Sequence, residues 1–267
     1  MNINIRRSCL SILAAIMTLS VSAEAHEFWI QPVSQVINQH ELLQLSLMHG
    51  ERYQGDPVAR NSPMIRRYEL FHPDHEPVPV AGLHGTTDAY LRPEHAGVIV
   101  YHTDHYQNNL PPEKFTAYLR EEGLGEIEQR RETLGESDLP GREIYSRCAK
   151  SVILISNEKL DASDVDHDTG LPLEIILTDI QSDSETPRVK ALIEFENEPV
   201  AGIRVVAASM AHPDQLIELE SDADGMIEFD AEPGNWMLTT LHIIRAENST
   251  EADWESFWAS NTFPVRD

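Results

Sequence analysis

The chain has 267 residues, 45 of them acidic and 20 basic, for a formal net charge of −25. An acid excess of that size repels phosphate backbones and anionic headgroups, so it argues against nucleic acid and membrane surfaces and favours cationic partners. Hydrophobic residues at 41% suffice for a large core, and twelve histidines give the composition its main chemical content.

The N-terminus opens with Arg6 and Arg7, a short apolar run from Cys9 to Val21, and Ala23-Glu24-Ala25. A basic start, a short apolar stretch and a small-x-small site read as a cleaved secretory signal over residues 1–25. The residues after the arginine pair, Ser8-Cys9-Leu10-Ser11, fit twin-arginine export poorly, so the general route is expected. The apolar run is too short for a stable bilayer span. The expected mature chain is periplasmic, is not inserted in the membrane and begins at His26.

Residues 26–155 read as a β-rich domain. Glu41 to Met48 alternates Leu43, Leu45 and Leu47 against polar neighbours, the period of a half-buried strand. Ile65 to Phe71 and Gly97 to Tyr101 repeat the pattern between turn residues. A helical insertion is expected near 111–135, where Phe115, Tyr118 and Leu119 recur at helical spacing after Pro111-Pro112. The strand that follows carries Cys148, the only cysteine left after cleavage, which reads as a buried inert thiol.

Residues 156–170 hold Asp161, Asp164, Asp166 and Asp168 and read as a solvated acidic linker. A calcium loop is excluded by its own template: Gly170 falls out of place and Ile175 stands where the bidentate Glu belongs. Residues 171–267 then offer short strands, from Leu173–Leu177 to Trp236–Ile243, separated by turns such as Asp222-Ala223-Asp224-Gly225. The expected fold class is mainly β, with two β-sandwich-like domains.

A chain that begins with histidine presents an α-amine and an imidazole to one ion. An α-amine with pKa near ~8 can yield its proton to a metal close to neutral pH. Imidazole suits nickel, copper, cobalt and zinc. Nine of the twelve histidines lie between residues 26 and 105. In His102-Thr103-Asp104-His105, alternation along a strand places His102 and Asp104 on one face, as two ligands or as a ligand with its orienting partner. His242 ends an apolar strand. His72-Pro73-Asp74-His75 reads as a turn that exposes both histidines. Gly-x-Ser-x-Gly, His-Glu-x-x-His, phosphate-loop and Cys-x-x-Cys patterns are absent, so a non-enzymatic role is expected.

Several stretches together resemble a family of largely uncharacterised bacterial periplasmic proteins labelled as periplasmic components of nickel-uptake transporters. They include His26-Glu27-Phe28-Trp29-Ile30, Phe115 to Leu124, Arg142 to Ser151, Glu198-Pro199-Val200-Ala201-Gly202, Trp236 through His242, and Asp253 to Phe263. The resemblance implies that the second domain is a sandwich of the transthyretin or carboxypeptidase-regulatory kind. It also singles out His26 and His242 for comparison. The expected function is capture of a transition ion (nickel, copper, cobalt or zinc) by His26, His242, His102 and Asp104, for a membrane transporter component. The alternative is a metal-free structural or interaction module of the cell envelope.

Overall fold

The computed structural model describes residues 27–181, 187–247 and 249–266. His26 and the expected signal lie outside them. The chain is mainly β.

Its first half contains β1 (Glu27–Pro32), β2 (Val36–Ile37), β3 (Leu43–Glu51), β4 (Gln54–Val58), β5 (Ile65–His72), β6 (His75–Pro79), β7 (Asp88–Leu91), β8 (Gly97–Thr103) and β9 (Tyr106–Leu110). Helices α1 (Pro112–Glu121) and α2 (Gly125–Leu134) follow, and then the long β10 (Gly141–Ile155). The second half holds α3 (Ala162–Val165), β11 (Leu173–Gln181), β12 (Arg188–Phe195), β13 (Glu198–Pro199), β14 (Arg204–Ser209), β15 (Ile217–Glu220), β16 (Met226–Asp230), β17 (Gly234–Arg245) and β18 (Trp254–Val265).

A single ten-stranded sheet runs through both halves in the order β15-β14-β17-β18-β10-β8-β5-β6, with β2 and β9 also on β10. A smaller sheet of β1, β3, β4 and β7 lies against one face, where Thr262 of β18 bonds the Ile30 carbonyl. Another of β11, β12, β13 and β16 lies against the opposite face, where the adjacent Asn261 bonds the Ile175 carbonyl. The result is two sandwich-like units that share their central layer. The joint is β18, antiparallel to β17 but parallel to β10, with Glu143 opposite Trp254 and Ser151 opposite Thr262. One apolar cluster accordingly extends from Leu45 and Val98 to Ile193 and Leu238.

The period-two reading holds in β3, where Leu43, Leu45 and Leu47 are buried and Gln44 and Ser46 are not. The helical insertion forms as expected. Phe115, Tyr118 and Leu119 are buried against Leu241, Ile243 and Trp254, and the Phe115 ring lies where Gly141 leaves no room for a Cβ. Arg245 forks onto Glu136 just beyond α2, with two contacts of 2.8 Å.

The solvated linker expected at 156–170 is corrected by the structure. Ala162, Val165 and Asp166 are buried, and the Asp166 carboxylate lies 2.5 Å from the Lys150 ammonium. Glu174, also buried, lies 2.9 Å from the same nitrogen. Leu177 N–H and the Asn261 amide donate to Asp166, while Thr169 and Leu171 N–H groups donate to Glu174. Burial alone would push the Lys150 ammonium down, but the two carboxylates more than offset it and hold its pKa above the ordinary value. Ala162, Val165, Asp166 and Thr169 are therefore core, while Asp164 and Asp168 of the same segment stay exposed.

Candidate functional site

An open cleft of about 750 Å³ lies where β1, the α1–α2 corner and β17 meet. Glu27 and Phe28 of β1 line it, as do Glu51 at the end of β3, Glu121 to Glu126 around the helix corner, Arg204, and Thr239 to Ile243 of β17. Five lining residues are glutamates (27, 51, 121, 122 and 126) and two are arginines (52 and 204), so the walls carry a formal charge of −3.

Local backbone rules explain how those carboxylates converge. The β3–β4 hairpin turns on Arg52 and Tyr53, both at positive φ (53° and 61°), in the manner of a two-residue primed turn. Left-handed backbone is unfavourable for such residues. Tyr53 offsets the cost by burying its ring edge-on against Trp29, at 5.7 Å. The turn then aims the Tyr53 N–H at the Glu27 carboxylate, 3.4 Å away. Burial raises the Glu27 pKa against the opposing pull of the Tyr53 and Arg52 amides.

Helix α1 ends at Glu121, and Gly123 reverses the chain at φ 74°, with its absent Cβ leaving space for Arg204. Glu121 and Glu122 thus sit at the negative end of a helix dipole, an unfavourable place for anions. Burial raises the Glu122 pKa to about 7; Arg204, 3.9 Å away, pulls it down and Glu27 pushes it up. At neutral pH this carboxyl is near half-protonation.

His242 lies on the same cleft, half-buried, with its ring 4.6 Å from that of Phe195. Burial pushes its pKa down, opposed by Glu126, so the imidazole is neutral at pH 7 and able to offer a lone pair. The rear wall is aromatic: the Arg147 guanidinium lies over the Phe28 and Trp258 rings at 5.6 and 5.0 Å, tying β1, β10 and β18 together.

The structure does not bring His102 and Asp104 to this cleft. His102 pairs with Cys148, which is opposite Ala259, which is opposite Thr240. Three strand spacings, about 14 Å, therefore separate His102 from the β17 row nearest His242. Burial, then Arg66 and Arg67, pushes the His102 pKa down to about 4. Asp104 accepts from Arg66 at 2.8 Å and from the His105 N–H at 2.9 Å, and these bonds hold its carboxyl below the ordinary range. Asp104 is thus the partner of Arg66 just beyond the end of β8, and His102 is a half-buried residue of that strand. Cys148 is buried, and burial lifts its thiol to about 12, the inert thiol expected. Among the described residues, no three His, Cys, Asp or Glu side chains stand in ready-made ligating geometry.

A family model described as a domain of unknown function, DUF4198, matches residues 23–244. The chain belongs to this family. The match spans the cleft walls from Glu27 to His242 and includes His26. No curated protein matches the chain. Two solved structures align over 90% of it, the D0-D1 domain of intimin (8% identity, 98% of that chain, TM-score 0.20) and the D00-D0 domain of intimin (9% identity, 100% of that chain, TM-score 0.19). Both TM-scores lie far below the level of a shared fold. Within this DUF4198 chain, sequence reasoning missed Glu27, Glu51 and Glu122, because carboxylates are abundant everywhere. The available cue was Glu121-Glu122-Gly123, two acids at the end of a helix where cations are preferred.

Proposed function

We propose that this is a periplasmic protein that captures a divalent transition ion, nickel or a similar metal, in the cleft between β1 and β17 and delivers it to a membrane uptake component. One observation carries the reading: Glu27, the residue that follows His26, lies on the same cleft wall system as His242, among an excess of carboxylates. An amine and imidazole at residue 26 would supply two nitrogen ligands and His242 a third. Glu27 and Glu122 would offset the charge of the ion, with Glu122 releasing its proton as the cation enters.

The chemistry requires export with cleavage after Ala25, because only that cleavage creates the free amine at His26. Among the described residues no helix is long and apolar enough to cross a membrane. The deciding experiment is calorimetric titration of the mature, untagged chain with Ni(II), Cu(II), Co(II) and Zn(II), beside His26→Ala and His242→Ala. Each substitution is expected to weaken the cleft site by at least about tenfold. Unchanged affinity in both variants would refute the site and leave the metal-free envelope module as the better reading.

A further inference from the structure

Four imidazoles gather at the opposite edge of the ten-stranded sheet, far along the strand order from the cleft. His72 and His75 face each other across the β5–β6 hairpin, His95 comes from the segment before β8, and His167 from the loop between α3 and β11. Ring centres lie 4.7 Å apart for His72 and His75, 5.4 Å for His72 and His95, 6.5 Å for His72 and His167, and 3.8 Å for the stacked pair His75 and His95. Two imidazoles on one tetrahedral ion, with metal–nitrogen bonds near 2.05 Å, place their ring centres roughly 5 Å apart. Two of the four separations already match. The stacked pair must fan apart by side-chain rotation before all four imidazoles can face one ion.

We propose that His72, His75, His95 and His167 form a second transition-metal site, which takes an imidazole-preferring divalent ion such as zinc or copper at the sheet edge. The proposal is independent of the cleft reading, since it shares no residue with it.

Three features support a built site. Its backbone is fixed from three sides: the hairpin pairs His72 with His75, Gly97 pairs with Ile153 just beyond His95, and the buried Lys150 ammonium donates to the His167 carbonyl at 3.1 Å. None of the four histidines is buried, so an ion from solution can reach the rings. Asp74, Glu94 and Glu158 lie near enough to act on those rings and supply anionic surroundings for a cation. His72 Nδ1 accepts from the Asp74 N–H at 3.2 Å, so ligation through His72 exchanges one exposed hydrogen bond for a metal bond.

Zn(II) and Cu(II) titrations of the mature, untagged chain test this directly. His75→Ala/His95→Ala is expected to lose one bound equivalent, or to weaken it by at least about tenfold, while His26→Ala/His242→Ala retains it. An unchanged number of equivalents with unchanged affinity in His75→Ala/His95→Ala overturns the proposal. Imidazole nitrogen NMR of the unmodified chain supplies a second readout that needs no variant. Zinc below one equivalent is expected to shift the resonances of these four histidines, and shifts confined to other histidines overturn the site.

Discussion

Two groups of carboxylates in this protein are handled in opposite ways. Asp166 and Glu174 are sealed in the core around Lys150, an internal cation whose ammonium they share at 2.5 and 2.9 Å, and amide donors meet their other lone pairs. Glu27, Glu51 and Glu122 converge on an open cleft in which glutamates outnumber arginines by five to two. The first group carries its own counter-charge and serves the fold. The second carries a deficit of positive charge, which a cation from solution can make good. The difference separates a structural ion network from a candidate binding site more reliably than a count of acidic residues, since both contain clustered acids.

The largest expected effect lies in the core. Lys150→Met removes the ammonium and leaves two carboxylates without a counter-ion in a water-free interior. The expected cost is about 3–5 kcal/mol, because breaking one side of a buried pair strands the other charge. Urea denaturation at pH 7 measures it. Adding Asp166→Asn and Glu174→Gln should recover a substantial part, since neutral amides are cheaper to bury than unpaired charge. A Lys150→Met chain within about 0.5 kcal/mol of the parent would show that the network is not the structural element described.

Glu122 sharpens the contrast through pH. Its folded pKa of about 7 lies above the ordinary 4.5, so the folded chain binds the proton more tightly than the unfolded chain. Stability from this group is therefore full below about pH 4.5 and falls as pH rises through 7. Glu122→Gln fixes the neutral form. In chelator it should stabilise the protein by about 2 kcal/mol at pH 8 and leave it nearly unchanged at pH 5. Thermal unfolding at the two pH values reads the difference. The same variant should bind divalent metal more weakly at pH 8, so a residue that lowers stability would be shown to favour binding.

Much of the fold was legible because its cues are local. Alternation in β3, helical spacing at Phe115, Tyr118 and Leu119, and turn residues between the C-terminal strands each lie within a few neighbours. What escaped depends on distant partners. Asp166 looks like one solvated acid among four until Lys150 is placed beside it. The parallel pairing of β18 with β10 has no hairpin turn to announce it, and it turns two expected domains into units that share a sheet. At the site, His242 was legible as a histidine of an apolar strand, although β17 runs on past it to Arg245 instead of ending there. His102 and Asp104 looked equally apt until Arg66 and Arg67 were found around them. His72 and His75 were visible as an exposed turn, but His95 and His167 join them only through the tertiary fold.

The smallest effect addresses which charge governs the cleft. Arg204 reaches Glu122 at 3.9 Å and Glu218 at 3.2 Å, so it is the internal cation that most directly competes with an incoming one. Arg204→Gln removes one positive charge several ångströms from the expected ion position. Coulomb's law in a partly solvated site gives about 0.5–1.5 kcal/mol in favour of the bound cation, a gain of roughly 2–10-fold in affinity. The gain should be largest near ~20 mM salt and should fade near ~300 mM, where the Debye length falls to about 6 Å. Binding at the His72 cluster should not change, because Arg204 lies on β14 at the other end of the sheet order. Titrations at the two salt concentrations therefore assign each bound equivalent to one of the two places. An ion that ignores Arg204 and responds to His95→Ala is held by imidazoles at the sheet edge, and one that does the reverse is held by the carboxylate cleft.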